Sequence, residues 1–229
     1  MKSPLFSDGN EDNHRTPTVF LVDEDEASTA SLREVVASMQ YQFESFHSGQ
    51  EFLDALDPEQ PGCLIVEVRL RGVSGLQLQR SLAARDVTLP VIFLTAHADV
   101  PTAVRAMRAG AIHFLEKPFR EADLWDAVHE AVTLDATRRR GIAHRRFLEE
   151  RLGRLTAKQE ELLELILQGK PTRAIAAELS VSVRTVELRR AKLMEKMEVE
   201  TLPALLQVAL ATRELRAQPA EAASLAGYA

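Results

Sequence analysis

The stretch CLIVEVRLRGVSGL, residues 63–76, decides the fold of the first half of the chain. Four apolar residues run straight into Glu67, a loop with glycine and serine follows, and a helical pattern then begins. This order is typical of a buried parallel strand that ends at a carboxylate. Because ligands of open α/β sheets bind beyond the carboxyl ends of the strands, the stretch predicts a site at Glu67.

The rest of the first half repeats this alternation of short apolar runs, which predict strands, and amphipathic stretches, which predict helices. Predicted strands occupy residues 18–23, 41–46, 63–68, 89–96 and 112–118, and predicted helices occupy residues 27–39, 49–56, 74–85, 100–110 and 120–132. This pattern predicts an α/β fold, a (βα)5 doubly wound parallel sheet whose strand C-termini share one edge.

Composition narrows the class of protein. The chain has 229 residues, enough for two modest domains, and its single cysteine, Cys63, cannot form an internal disulfide. No stretch is long and apolar enough to cross a membrane, and residues 1–16 lack the apolar core of a signal peptide. We therefore expect a cytoplasmic protein.

Charge divides the chain into parts with different partners. Residues 17–137 carry 9 basic and 19 acidic side chains, a net charge of −10, whereas residues 154–213 carry 10 and 8, a net charge of +2. The Arg-rich segment between them is either a solvated linker or a phosphate-contacting segment, and the sequence leaves both open. We predict a disordered N-terminal tail at 1–16, the α/β domain at 17–136, an Arg-rich linker at 137–153, an all-helical domain at 154–212 and a C-terminal tail at 213–229.

Polar side chains lie at the C-terminal ends of four of the predicted strands, at the shared edge. They are Asp23 and Glu24, Glu67, Thr95 and Lys117. Three carboxylates can hold a divalent metal that neutralises phosphate oxygens, and a hydroxyl and a lysine can bind the remaining oxygens. The combination predicts a pocket for phosphoryl chemistry.

Residues 17–135 resemble the receiver domain of bacterial two-component response regulators. The resemblance rests on VFLVDEDE, CLIVEVRLRGVSG and VIFLTAHADVPTAVRAMRAGAIHFLEKPF. In that family an aspartate that ends the third strand accepts a phosphoryl group from a histidine kinase. The resemblance implies a CheY-like fold in which Thr95 is the switch hydroxyl and Phe114 is the switch aromatic residue.

The pocket departs from this family at three positions. Glu67 stands where the family has the phospho-accepting aspartate, Arg71 replaces a proline in the family's D-x-R-M-P-G, and Glu24 is the second acid of the pair. Glutamate carries its carboxylate one C–C bond, ~1.5 Å, farther out, whereas productive sites need placement to about 0.5 Å. We therefore expect phosphoryl transfer to residue 67 to be lost.

The longer carboxylate has a predicted role of its own. We expect Glu67 to enter the phosphoryl space, pair with Lys117 and accept a hydrogen bond from Thr95, with Arg71 adding positive charge nearby. Mg²⁺ would be less needed and less well coordinated, so we predict no cofactor and no metal ligand set, although Mg²⁺ binding is left open. The receiver would then be fixed permanently or set by another signal, leaning toward the active state by mimicry. A degenerate pocket on a dimerisation scaffold and residual phosphorylation elsewhere stay open.

The second half is helical throughout. Thr156 and Gln159 fit a capping box, and Gly169 and Pro171 end the first helix. Two further helices flank a short turn. Their predicted buried faces are Ile175, Ala176 and Leu179 on the first, and Val183, Val186, Leu193 and Met197 on the second. This arrangement leaves the outer side of the second helix free for the DNA major groove.

Residues 152–212 resemble the LuxR-type helix-turn-helix of FixJ/NarL response regulators. The resemblance rests on LTAKQEELLELILQGKPTRAIAAELSVSVRTVELRRAKLMEKMEV and LPALLQVAL. It implies a four-helix domain that binds double-stranded promoter DNA through its third helix. Carried over by position, the base-edge residues are Glu187, Leu188 and Ala191, and the phosphate-contacting residues are Arg173, Arg184, Thr185, Arg190 and Lys192.

The resemblance also implies a homodimer. The fourth helix, with Leu205, Leu206 and Leu210, resembles the dimerisation helix of the family, and a second dimer surface is expected around Val104, Met107 and Phe114. The six histidines show no metal-ligand spacing, and Trp125 is expected in the core of the last receiver helix.

We predict a DNA-binding transcriptional regulator with a pseudo-receiver and no catalytic residues. The alternatives are a conventional kinase-activated regulator and a protein-interaction adaptor without DNA binding. A phosphatase or phosphate sink is disfavoured by Glu67. A partner histidine kinase is left open.

Overall fold

A computed structural model describes residues 15–217 of the chain, with side chains up to residue 210. Within this part the chain forms two compact units, residues 15–140 and residues 141–217. The remaining residues of the two predicted tails, 1–14 and 218–229, lie outside the described part. No helix among the described residues is long and apolar enough to span a membrane.

The first unit is a parallel five-stranded sheet with strand order β2-β1-β3-β4-β5. Its strands are β1 Thr18–Val22, β2 Gln42–Phe46, β3 Gly62–Val66, β4 Val91–Thr95 and β5 His113–Glu116. Its helices are α1 Glu26–Ser38, α2 Gly49–Ala55, α3 Gly75–Ala84, α4 Val100–Arg108 and α5 Glu121–Gly153. The predicted (βα)5 fold is confirmed.

Two apolar layers enclose this sheet because successive side chains of a strand point to opposite faces. Val19, Cys63 and Ile92 pack on one face against α1 and α5. Phe20 and Phe93 pack on the other face against α2, α3 and α4. The strands β1, β3 and β4 are fully buried, which explains why their sequences read as continuous apolar runs.

Short capped loops connect the strands to the helices that follow them. Asp25 caps α1, Ser74 caps α3 and Asp99 caps α4, each through a side-chain oxygen that accepts a backbone N–H of the first turn. Gly75 lets α3 approach the end of β3, since an added Cβ would lie 2.4 Å from the backbone oxygen of Glu67. The loops that carry the polar side chains are therefore held close to the sheet edge.

The helix α5 continues through the whole segment 137–153 that the sequence suggested as a linker. Its Asp135 is buried and accepts hydrogen bonds from the backbone N–H of Gly62 at 2.9 Å and from Nε of Arg139 at 2.8 Å. Arg139 also donates to the backbone oxygens of residues 58 and 60. This arginine thus stabilises the first unit instead of facing solvent.

The second unit combines the end of α5 with four helices, α6 Ala157–Leu167, α7 Thr172–Glu178, α8 Val183–Lys196 and α9 Leu202–Ala217. The helix α9 therefore extends beyond residue 212, where the sequence placed the start of the tail. The core of this unit is aliphatic and takes residues from every helix, among them Leu152, Leu162, Ile175, Val186, Leu193, Met197 and Leu205.

Two apolar residues lie where the sequence did not place them. Trp125, predicted to be in the core, is 43% exposed on α5 and stacks on His129 with ring centroids 5.5 Å apart. Val183, predicted on the buried face of its helix, is 40% exposed because it is the first residue after the cap Ser182. Both predictions are wrong, and neither residue belongs to a core cluster.

Candidate functional site

The sheet order brings together the polar residues predicted at the strand C-termini. Asp23, Glu67 and Thr95 are buried at the ends of the adjacent strands β1, β3 and β4. Lys117 follows β5, and its Nζ lies 2.6 Å from Oδ2 of Asp23 and 3.5 Å from Oε2 of Glu67. The predicted pairing of Glu67 with Lys117 is therefore present, although Lys117 lies closer to Asp23.

The carboxylate of Glu67 is held mainly by backbone donors. Its Oε1 accepts the N–H of Val68 at 2.7 Å, and its Oε2 accepts the N–H of Ala96 at 3.3 Å. Charge-assisted hydrogen bonds of this kind are stronger than neutral ones. Glu67 thus links its own loop to the loop after β4.

Thr95 does not hydrogen-bond Glu67 among the described contacts, so that prediction is wrong. The hydroxyl Oγ1 of Thr95 instead accepts the backbone N–H of His97 at 3.1 Å. The physical reason is a local turn, in which a threonine hydroxyl accepts the N–H two residues on, while the N–H of Ala96 binds Glu67 Oε2. Sequence reasoning missed the N–H donors of Val68 and Ala96, because no residue type signals a free backbone N–H.

The second acid of the pair, Glu24, binds the loop after β3. Its Oε1 accepts the backbone N–H of Arg71, and its Oε2 lies 3.1 Å from Nε of the same arginine. Asp23 is satisfied separately, since its Oδ1 accepts the N–H of Asp25 at 3.0 Å and its Oδ2 accepts Lys117. The positive charge of Arg71 therefore meets Glu24 at the rim of the pocket.

The arrangement does not fit Mg²⁺. Five of the six carboxylate oxygens of Asp23, Glu24 and Glu67 accept a hydrogen bond from the protein, and the sixth, Oε2 of Glu24, lies in the ion pair with Arg71. Within residues 15–210, no group of three or more His, Cys, Asp or Glu side chains is placed to hold a metal ion. Mg²⁺ demands near-octahedral oxygen coordination, so it would have to displace a lysine, an arginine or backbone donors.

The switch pair of the resemblance lies on neighbouring strands. Thr95 pairs in register with Glu116 of β5, and Phe93 pairs with Phe114. The rings of Phe93 and Phe114 stack with centroids 6.0 Å apart, and Phe114 packs against the layer formed with α2, α3 and α4. Phe114 thus lies two residues before the strand end, and its switching role stays a prediction.

The helix α8 presents two different faces. Val186, Leu193 and Met197 are buried in the core of the second unit. The opposite face is exposed, including Leu188 at 58% exposure. The predicted DNA-contacting residues that are exposed are Arg173, Arg184, Glu187, Leu188, Ala191 and Lys192, whereas Thr185 and Arg190 are half-buried.

The N-terminus of α8 is fixed by its cap. Ser182 Oγ accepts the backbone N–H of Thr185 at 3.1 Å, and the two hydroxyl oxygens lie 2.8 Å apart. At the other end, Nη1 of Arg151 donates to the backbone oxygen of Met197 at 2.7 Å. No sequence pattern predicts this second contact, which holds the end of α5 against the end of α8.

Comparison with known proteins finds a match to two protein families, each in a different part of the chain. Residues 19–129 match the model of the response regulator receiver domain. Residues 154–209 match the model described as bacterial regulatory proteins, luxR family. The receiver match covers the pocket, and the luxR match covers the exposed face of α8.

Similar proteins align with both halves of the chain. The transcriptional regulatory protein FixJ of Azorhizobium caulinodans is 38% identical over 84% of this chain and 91% of its own length. The response regulator protein TmoT of Ectopseudomonas mendocina is 35% identical over 86% and 89%. The solved structure of the response regulator StyR matches with a TM-score of 0.82 and 38% identity, over 86% of this chain and 99% of that one. The chain therefore belongs to the FixJ-type response regulators, DNA-binding proteins of the LuxR family with a receiver domain.

Proposed function

We propose that this regulator binds DNA without phosphorylation of its receiver. One observation carries the proposal: the Glu67 carboxylate already accepts the N–H groups of Val68 and Ala96 and lies 3.5 Å from Lys117. These donors are the groups at the sheet edge that would bind phosphoryl oxygens. With residue 67 using them itself, an incoming phosphoryl group would have to displace the Glu67 carboxylate from these donors.

The mimicry of a phosphorylated state is only partial. A carboxylate has two oxygens and one negative charge, whereas a phosphoryl group has three oxygens and a charge near −2. The Thr95 hydroxyl also accepts from His97, and no hydrogen bond joins it to Glu67 among the described residues. We therefore propose a receiver with a fixed pocket, without assigning it the active state.

A phosphotransfer assay tests this proposal. Wild-type protein, Glu67→Asp and Glu67→Gln are incubated with acetyl phosphate and Mg²⁺, and the intact mass is measured before and after hydroxylamine. We expect no hydroxylamine-labile phosphate on wild type, because Glu67 carries its carboxylate too far out for in-line attack. Phosphate on Glu67 would contradict the proposal and favour the conventional kinase-activated alternative.

The DNA-bound form is proposed to be a homodimer. Leu210 of α9 and Val104 and Met107 of α4 are apolar and exposed, as a dimer surface requires, although Leu205 is buried in the core. Two helix-turn-helix units would double the contacts on a two-fold site. Light scattering of the protein alone and with a bound promoter fragment tests this: a 1:1 complex at saturation would contradict the dimer.

The adaptor alternative lacks a supporting observation. A helix that no longer bound DNA would have no functional requirement for an exposed basic face. On α8, however, Arg184 and Lys192 are exposed. A gel shift with genomic promoter fragments at two salt concentrations decides between the two functions, because phosphate-driven binding falls steeply with salt.

A further inference from the structure

The contact between Glu24 and Arg71 joins the loop after β1 to the loop after β3. Residue 71 supplies both partners of the Glu24 carboxylate, a backbone N–H to Oε1 and a guanidinium Nε at 3.1 Å from Oε2. Glu24 is also the most accessible acid of the pocket, with 31% of its side chain exposed against 5% for Asp23 and 10% for Glu67. It is therefore the carboxylate that a cation would reach first.

We infer that Arg71 is a positioning residue that withholds Glu24 from divalent cations. The inference rests on the proposed function and adds a second, independent change that closes the pocket. Proline has neither a backbone N–H nor a charge, so a proline at position 71 would offer Glu24 neither contact. Arginine supplies both contacts, and its positive charge repels a cation at the same rim.

This arrangement has a consequence for variants at position 67. Glu67→Asp shortens one carboxylate but leaves Glu24 bound to Arg71. We therefore expect Glu67→Asp alone to leave Mg²⁺ affinity close to that of wild type. Restoring a divalent-cation site requires a change at residue 71 as well.

Calorimetric titration of Mg²⁺ into the full-length protein tests the inference. The variants are wild type, Glu67→Asp, Arg71→Ala, Arg71→Pro and the double variant Glu67→Asp/Arg71→Pro. The matched control is Arg69→Ala, which removes the same charge from the same loop but has no contact with Glu24 among the described residues.

We expect Arg71→Ala to tighten Mg²⁺ binding up to about fivefold, because it removes one exposed ion pair. Arg71→Pro also removes the backbone donor, so we expect about tenfold or more. Arg69→Ala is expected to stay close to wild type. Far-ultraviolet circular dichroism checks folding, and if Arg71→Pro does not fold, Arg71→Ala against Arg69→Ala decides.

Three results would overturn the inference: unchanged affinity in the Arg71 variants, equal tightening by Arg69→Ala, or equal affinity of Glu67→Asp and the double variant. A different result, in the phosphotransfer assay, would contradict the proposed function. Phosphate on wild-type Glu67 would end the proposed function and leave the ranking of Mg²⁺ affinities intact. Equal Mg²⁺ affinities of wild type and the Arg71 variants would end only the role of Arg71.

Discussion

The receiver pocket and the outer face of α8 differ in whether their charged side chains have partners within the protein. In the pocket, Asp23 and Glu67 are bound by Lys117 and backbone donors, and Glu24 is bound by Arg71. On α8, within the part of the chain described, the side chains of Arg184 and Lys192 form no hydrogen bond or ion pair. Carboxylates that are already hydrogen-bonded within the protein bind a ligand only if it displaces their partners. Unpaired cations on a rigid helix, in contrast, attract an anion such as a DNA phosphate.

Removal of Lys117 gives the largest expected effect, because it is the shared cation of the pocket. Lys117→Ala leaves Asp23 and Glu67 buried without their ion pairs, and breaking such a pair costs about 3–5 kcal/mol of unfolding free energy. Urea unfolding followed by the fluorescence of Trp125, the single tryptophan, reports on the first unit.

The control for this change is Lys158→Ala on α6, an exposed lysine whose removal should alter stability by less than about 0.5 kcal/mol. Equal unfolding curves for the two lysine variants would show that the pocket charges are not coupled as the structure has them.

Two leucines of one helix sharpen the contrast between its faces. Leu193 is fully buried, so Leu193→Ala should lower the unfolding free energy of the second unit by about 2–5 kcal/mol. Leu188 is exposed, so Leu188→Ala should change it by less than about 0.5 kcal/mol and weaken DNA binding instead. Scanning calorimetry and gel shifts on the same two proteins measure both quantities. The reverse assignment of effects would contradict the orientation of α8.

The free cations of α8 give the next effect in size. Arg184→Ala/Lys192→Ala should weaken binding of all DNA sequences about tenfold and lower the slope of log K against log salt by about 2. Lys158→Ala is again the control, since it removes a positive charge outside α8. Equal loss of binding in the control would show that general charge, not this face, attracts DNA.

Much of the fold and the pocket follows from the sequence alone. Buried strands that end at Asp23, Glu67 and Thr95 have a strong apolar signal, and parallel topology then brings these residues together. The contact between Glu24 and Arg71 could not be predicted, because it joins residues 47 positions apart through a backbone N–H. Composition alone places Arg139 in a linker, whereas the deciding feature is buried Asp135 one helical turn earlier.

The two wrong predictions of burial share a physical cause. Trp125 and Val183 are apolar, but helical spacing alone does not say which turn of a helix meets the core. Val183 opens α8 where the chain is still at the surface, and Trp125 pairs with His129 outside the core. Apolar character predicts burial only where a partner surface is present.

The most direct test of the fixed pocket is the DNA affinity of wild type with and without acetyl phosphate and Mg²⁺, at one stated salt concentration. Effectors coupled to a binding site typically change its affinity by 5–150-fold. We predict the same dissociation constant in both conditions, because Glu67 already uses the pocket donors. A change of about fivefold or more would contradict the account.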